Sequence, residues 1–168
     1  KEGERYIYRP NKTDIDFRDR NLSDQDFACD ATLPHSGTIV WHKLNDEERG
    51  AVTSMYLKNN DLVRPWETIA AFPNVEYLTL DKNRHLQFTP ECANVLASSL
   101  TVLNDLSLEK CGLTSMPSNM HLFPHLRGLH LSGNQLGKFP DAICSIKSLD
   151  ALFIDKAGLR EIPDRICE

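Results

Sequence analysis

No stretch of this chain approaches the roughly 18 consecutive apolar residues that a membrane-spanning helix requires, which excludes a helical span. A surplus of positive charge is also missing: 19 Lys and Arg stand against 24 Asp and Glu, for a formal net charge of −5. A module that grips duplex nucleic acid through a basic face, or a polybasic membrane anchor, needs the opposite balance. CxxC motifs are absent, and the five cysteines (Cys29, Cys92, Cys111, Cys144, Cys167) are odd in number and far apart. That spacing argues against a dense disulfide framework and for a reducing compartment. Two glycosylation sequons, Asn11-Lys-Thr13 and Asn21-Leu-Ser23, point the other way, to an extracellular chain. The motifs GxxxxGK(S/T), GxGxxG, HExxH and GxSxG are missing as well. Low-complexity tracts do not occur, and 40% hydrophobic and 26% charged residues stay interleaved along 168 residues, as in one globular domain. The chain opens at Lys1 with no charged-then-apolar leader, so the expectation is a processed product or a piece of something longer.

What the chain does have is a period. From Leu126 it reads L-R-G-L-H-L-S-G-N-Q-L, of the form LxxLxLxxNxL. The same frame recurs at Leu149, Leu103, Val75 and Val52, and successive starts lie 23, 28, 23 and 23 residues apart. The LxL alternation sends two apolar side chains to one face of a short strand and the residue between them to the other. Asn60, Asn83 and Asn134 follow the strand where a turn needs its backbone groups satisfied. Cys111 takes that slot in one copy, as a buried residue and not a reactive thiol, and Ala157 takes it in the last, which predicts a looser final turn. Behind each strand come Met116-Pro117, Phe139-Pro140 and Ile162-Pro163, then apolar residues at every third position: Met120, Phe123, Leu126 and Ile143, Ile146, Leu149. Spacing by threes suits a short helix or 3₁₀ turn. The one 28-residue copy has Thr89 as a helix N-cap and Pro90 at the first helical position, predicting an α-helix over Pro90 to Ser98 that carries Cys92.

These frames resemble the leucine-rich repeat, over residues 52–168, and their "LPxxIxxL" wording is similar to the 23-residue subclass of Ras-suppressor and Scribble-type proteins and of some secreted bacterial effectors. The resemblance implies an α/β fold: a right-handed horseshoe solenoid with a short parallel concave sheet and convex short helices or 3₁₀ turns. It also implies a non-catalytic module that binds another protein. A cytoplasmic scaffold or adaptor in signalling is the expected setting. The alternatives are the target-recognition domain of a secreted pathogen effector and an extracellular receptor or matrix fragment.

Solenoids close their apolar ends with caps. Residues 1–51 are read as the N-terminal cap, with Trp41 closing the core, and 52–168 as five repeats. Within the cap, Ile15, Phe17 and Leu22 fit a degenerate first repeat, with Arg20 where Asn belongs. Phe17, Leu22 and Phe27 also fit a pentapeptide coil, and Tyr6 to Phe17 a hairpin. Residues 45–50 read as a turn. At the other end Pro163 to Glu168 begins a convex half-repeat with no polar cap after it. The expectation there is a truncated chain, or an edge that meets a partner or a second copy.

Side chains between the leucines project from the concave sheet. The expected binding residues are Tyr56, Lys58, Tyr77, Asp81, Glu109, His130, Phe153 and Asp155. Tyr56 with Tyr77, and His130 with Phe153, are expected to meet diagonally, and Asp81, Glu109 and Asp155 to form an acidic stripe for a basic partner. Exposed aromatics are natural interface anchors. Ser107 beside His130 is the nearest approach to a nucleophile and base, but an open sheet supplies no oxyanion donors, so no catalytic residue is expected. His121 and His125 have zinc-like spacing, but Pro124 lies between them and no third ligand is evident, so neither metal nor cofactor is expected.

Overall fold

The computed structural model describes residues 13–27 and 44–163. Trp41, the Tyr6–Tyr8 limb of the hairpin alternative, Asn11, Cys29, Cys167 and the chain beyond Pro163 lie outside the described residues. Among the described residues six three-residue strands form one sheet: β1 (Asp14–Asp16), β2 (Ser54–Tyr56), β3 (Tyr77–Thr79), β4 (Asp105–Ser107), β5 (Gly128–His130) and β6 (Ala151–Phe153). They pair in chain order, each parallel to the next. A parallel neighbour can be reached only by a crossover of a dozen or more residues. Here the crossovers are the convex half-repeats, which makes the chain a solenoid with an open sheet. Both the parallel sheet and the short convex elements agree with the α/β solenoid that the resemblance implies.

The register explains why each strand forms at all. Ile15, Met55, Leu78, Leu106, Leu129 and Leu152 stand opposite one another along a single row. The first five are at most 1% exposed. Leu57, Leu80, Leu108 and Leu131 are fully buried two residues further along their copies. Three-residue strands are too short to persist singly. Stacked leucines each contribute about 1.5–3 kcal/mol on burial, so the row and not the strand is the stable unit.

Between β1 and β2 lie α1 (Asp24–Phe27) and α2 (Asp46–Gly50), and between β2 and β3 lies α3 (Trp66–Ala70). The crossover from β3 to β4 is α4 (Pro90–Ser99), and 3₁₀ turns Met120–Leu122 and Asp141–Ser145 serve the last two. Met120, Phe123 and Leu126, then Ile143 and Ile146, are buried at their three-residue spacing. The long repeat has its helix where expected: Thr89 Oγ1 accepts the Cys92 N–H at 3.4 Å, Pro90 opens the first turn, and Cys92, Ala93 and Leu96 are buried. Asp46–Gly50 form α2, with Asn45 as its N-cap, and not a turn alone. The reason is a reciprocal cap, with Asn45 Oδ1 accepting the Glu48 N–H and Glu48 Oε2 accepting the Asn45 N–H, both at 2.8 Å.

The turn asparagines form a ladder from repeat to repeat. Asn134, 1% exposed, donates to the Leu108 and Leu131 carbonyls at 2.9 and 2.7 Å and accepts the Cys111 and Leu113 N–H groups at 3.1 and 3.0 Å. Asn83 donates to the Leu57 and Leu80 carbonyls and accepts Leu62 N–H. Asn60 donates to Phe17 and Leu57 and accepts Arg20 and Leu22 N–H. Cys111 is fully buried, and its thiol donates to the Leu80 carbonyl at 3.2 Å. At Ala157 the backbone substitutes, its carbonyl accepting Leu136 N–H at 2.9 Å.

Because Asn60 bonds the turn after β1, the Ile15 strand is joined to the solenoid as the other copies are. Phe17, Leu22 and Phe27 are also buried, but behind a strand paired with β2, not on a coil of their own. Asp24 then clamps this segment to the following repeat, its carboxylate accepting Val63 and Arg64 N–H at 2.9 and 2.7 Å.

Candidate protein-binding face

Side chains that alternate with the buried row fall into three further rows on the concave side. The central row is Asp16, Tyr56, Thr79, Ser107, His130 and Phe153, each directly opposite the next. Two residues earlier stand Asp14, Ser54, Tyr77, Asp105, Gly128 and Ala151. Lys58, Asp81, Glu109, Ser132 and Asp155 occupy the positions two residues later in their copies.

The aromatic residues divide into two environments. Tyr77 and Phe153 are 47% and 46% exposed and lie outside the buried core cluster. Tyr56 is half-buried, and the Arg18 guanidinium lies 5.5 Å from its ring centroid. Arg18 in turn forms a bidentate pair with Asp16, Nε to Oδ1 at 2.9 Å and a terminal nitrogen to Oδ2 at 2.6 Å. That side-chain hydrogen bond holds the Asp16 carboxyl below its ordinary pKa. His130 and Phe153 stack face to face, with centroids 4.5 Å apart and planes inclined by 9°. They meet directly across the β5–β6 pair and not diagonally, because both occupy the central position of their copies. Tyr56 and Tyr77 are the diagonal pair, opposite Thr79 and Ser54 respectively.

The acidic stripe is interrupted. Asp81 is 8% exposed, and its Oδ1 accepts the Ser107 hydroxyl at 2.6 Å and the Glu109 N–H at 3.0 Å. Its charge is spent on bracing β3 to β4, so it offers little to a partner. Glu109 is half-buried and Asp155 exposed, with the neutral Ser132 between them, while Lys58 is half-buried at the far end of the row.

Ser107 and His130 do not form a nucleophile–base pair. Ser107 donates to Asp81, and His130 Nε2 lies 3.2 Å from Asp105 Oδ2, so the two side chains address different carboxylates. No group of three His, Cys, Asp or Glu side chains among the described residues could hold a metal ion, and His121 and His125 are exposed. Burial pushes the Cys111 thiol up to about 12, which makes it an inert ladder residue.

What the frame missed here is side-chain pairing between rows. The Arg18–Asp16–Tyr56 group needed only an Arg two residues after an Asp whose opposite neighbour is aromatic, a signal present in the sequence once β1 is aligned with β2.

Residues 125–146 match the family model for the leucine-rich repeat. A solved leucine-rich-repeat protein of Leptospira interrogans, LIC12759, is similar in fold: the TM-score is 0.57 at 26% identity, over 77% of this chain and 32% of that one. The chain therefore spans about a third of that protein's length. No curated protein sequence matches it. The repeat frame, the asparagine ladder, the ordered parallel sheet and these two likenesses agree, and together they support a leucine-rich-repeat protein.

Proposed function

We propose that the chain binds a partner protein through its concave face, as a scaffold or adaptor in signalling, and performs no chemistry of its own. Leucine-rich-repeat domains in general mediate protein–protein interaction and are not catalysts. The observation that carries the concave assignment is the exposure of Tyr77 and Phe153 on strands whose packing does not require them. Large aromatics supply contact area at low entropic cost, and they concentrate at the centres of interfaces. A cytoplasmic location is part of the proposal, supported by Cys92, Cys111 and Cys144, which carry free thiols.

The test is a quantitative pull-down from cell lysate with the native chain and a Tyr77→Ala, Phe153→Ala double variant of unchanged circular dichroism. A partner held by the native chain and lost by the variant supports concave recognition. A partner held equally by both places the interface on the convex side or at the ends of the solenoid.

A further inference from the structure

At the C-terminal end of the concave sheet, three rows leave a trough. Gly128 and Ala151 are adjacent in register and the smallest pair in their row; the half-buried Ala151 is the trough's floor, and Gly128 is buried beneath the Asp105 carboxylate. The His130–Phe153 stack stands along one side. Across its end lies the Asp105 carboxylate, which reaches over β5: a Cβ built on Gly128 would collide with Asp105 Oδ2. Gly128 thus makes room for the carboxylate rather than for a turn. Asp105 keeps a 34% exposed side chain, and only its Oδ2 is engaged, by His130 Nε2. A carboxylate has about four acceptor positions, so most of its capacity is left unengaged.

The other end of the sheet shows the same parts with their occupant in place. There Asp16 holds Arg18 in a bidentate pair, and the guanidinium covers the ring of Tyr56 on the adjacent strand. In the trough a carboxylate again faces aromatic rings one and two strands away. The nearest arginine in sequence, Arg127, is instead directed to Asp150 at 3.4 Å. Glu109 and the exposed Asp155 stand on the far side of the His130–Phe153 stack, two residues beyond that row and next to Lys110 and Lys156, so the charge that draws a cation into the trough is the Asp105 carboxylate itself. Arginine fits better than lysine, because its planar fork can take a carboxylate and lie against a ring at once.

Resting on the concave-binding reading, we propose that this trough receives an arginine side chain of the partner protein. The stem lies over Ala151 beside Phe153, and the guanidinium meets Asp105 above Gly128. The partner is therefore a protein presenting an exposed arginine at the centre of its contact.

The experiment is a heteronuclear NMR titration of the whole chain with N-acetyl-arginine amide to about 50 mM, repeated with the citrulline analogue, which keeps the shape and loses the charge. Saturable shifts at Gly128, His130, Ala151 and Phe153 with arginine, and none with citrulline, are expected. Asp105→Asn should weaken binding at least about fivefold. Gly128→Ala should do the same without unfolding the chain, because its methyl group displaces a carboxylate at the end of a flexible side chain. No shift at these residues, equal shifts with citrulline, or binding unchanged in both variants would overturn the inference. A partner from the pull-down that is lost with Tyr77→Ala, Phe153→Ala but retained by Asp105→Asn would overturn it too, while leaving concave recognition standing.

Discussion

Replacing Asn134 with Ala removes four hydrogen bonds from a site that is 1% exposed. Two of the groups released, the Cys111 and Leu113 N–H, lie in the turn of the preceding repeat. A buried donor left without a partner costs about 1–3 kcal/mol, so the two together cost about 2–6 kcal/mol, toward the low end if water reaches the gap. That is a large share of the roughly 5–15 kcal/mol that holds a domain together. The protein carries its own control, since Cys111 fills the equivalent slot one repeat earlier with a single donor. Asn134→Cys should therefore be milder than Asn134→Ala, and Cys111→Ala milder than either. Urea unfolding measures the order, and amide exchange measures the location, with Leu113 losing protection before residues of β2. An Asn134→Ala variant within 0.5 kcal/mol of the native chain would refute the claim that the ladder is a stabilising element.

Leu131→Ala, at a fully buried row position, should cost about 2–5 kcal/mol and loosen β4 and β6 before β1; uniform exchange along the chain would contradict it. Cys111 gives a pH dependence of definite sign. The unfolded thiol releases its proton near 9.0 and the folded one near 12, so stability falls as pH rises between those values, by on the order of 1 kcal/mol per unit, and a Cys111→Ala chain should show a shallower fall. Gly112→Ala should destabilise more than Gly137→Ala. Both residues have positive φ, 74° and 70°, but a Cβ at 112 would lie 2.6 Å from the Arg84 carbonyl oxygen, whereas at 137 it meets nothing within 4 Å. Equal urea midpoints would show that the carbonyl moves aside.

The strands were legible because a leucine at every second position has one physical use in a chain with a 23-residue period. Helix α4 was legible for a similar reason, from Thr89, Pro90 and five extra residues. The capping box of α2 was equally plain in Asn45 and Glu48, yet its six residues also read as a turn, and only the bonds distinguish the two. Site residues were harder. A frame shows which positions face the concave side, but not where a polar side chain goes once there. Asp81 and Asp155 share a row and an acidic character, but a hydroxyl at Ser107 absorbs the first and nothing comparable meets the second. The His130–Phe153 stack could be had from alignment alone, since residues at equal positions of neighbouring copies stand opposite.

The ladder has a direction. Asn134 completes the turn of the repeat before it, Asn83 accepts from Leu62 and Asn60 from Leu22, so each of the three asparagines supplies what the copy before it lacks. During synthesis the three turns that these asparagines complete have open donors until the asparagine of the following copy arrives, about 1–5 s for 23 residues at ordinary elongation rates. A chain cut just before Asn134 would therefore expose the Cys111 and Leu113 donors to water, whereas one cut after it leaves that turn complete.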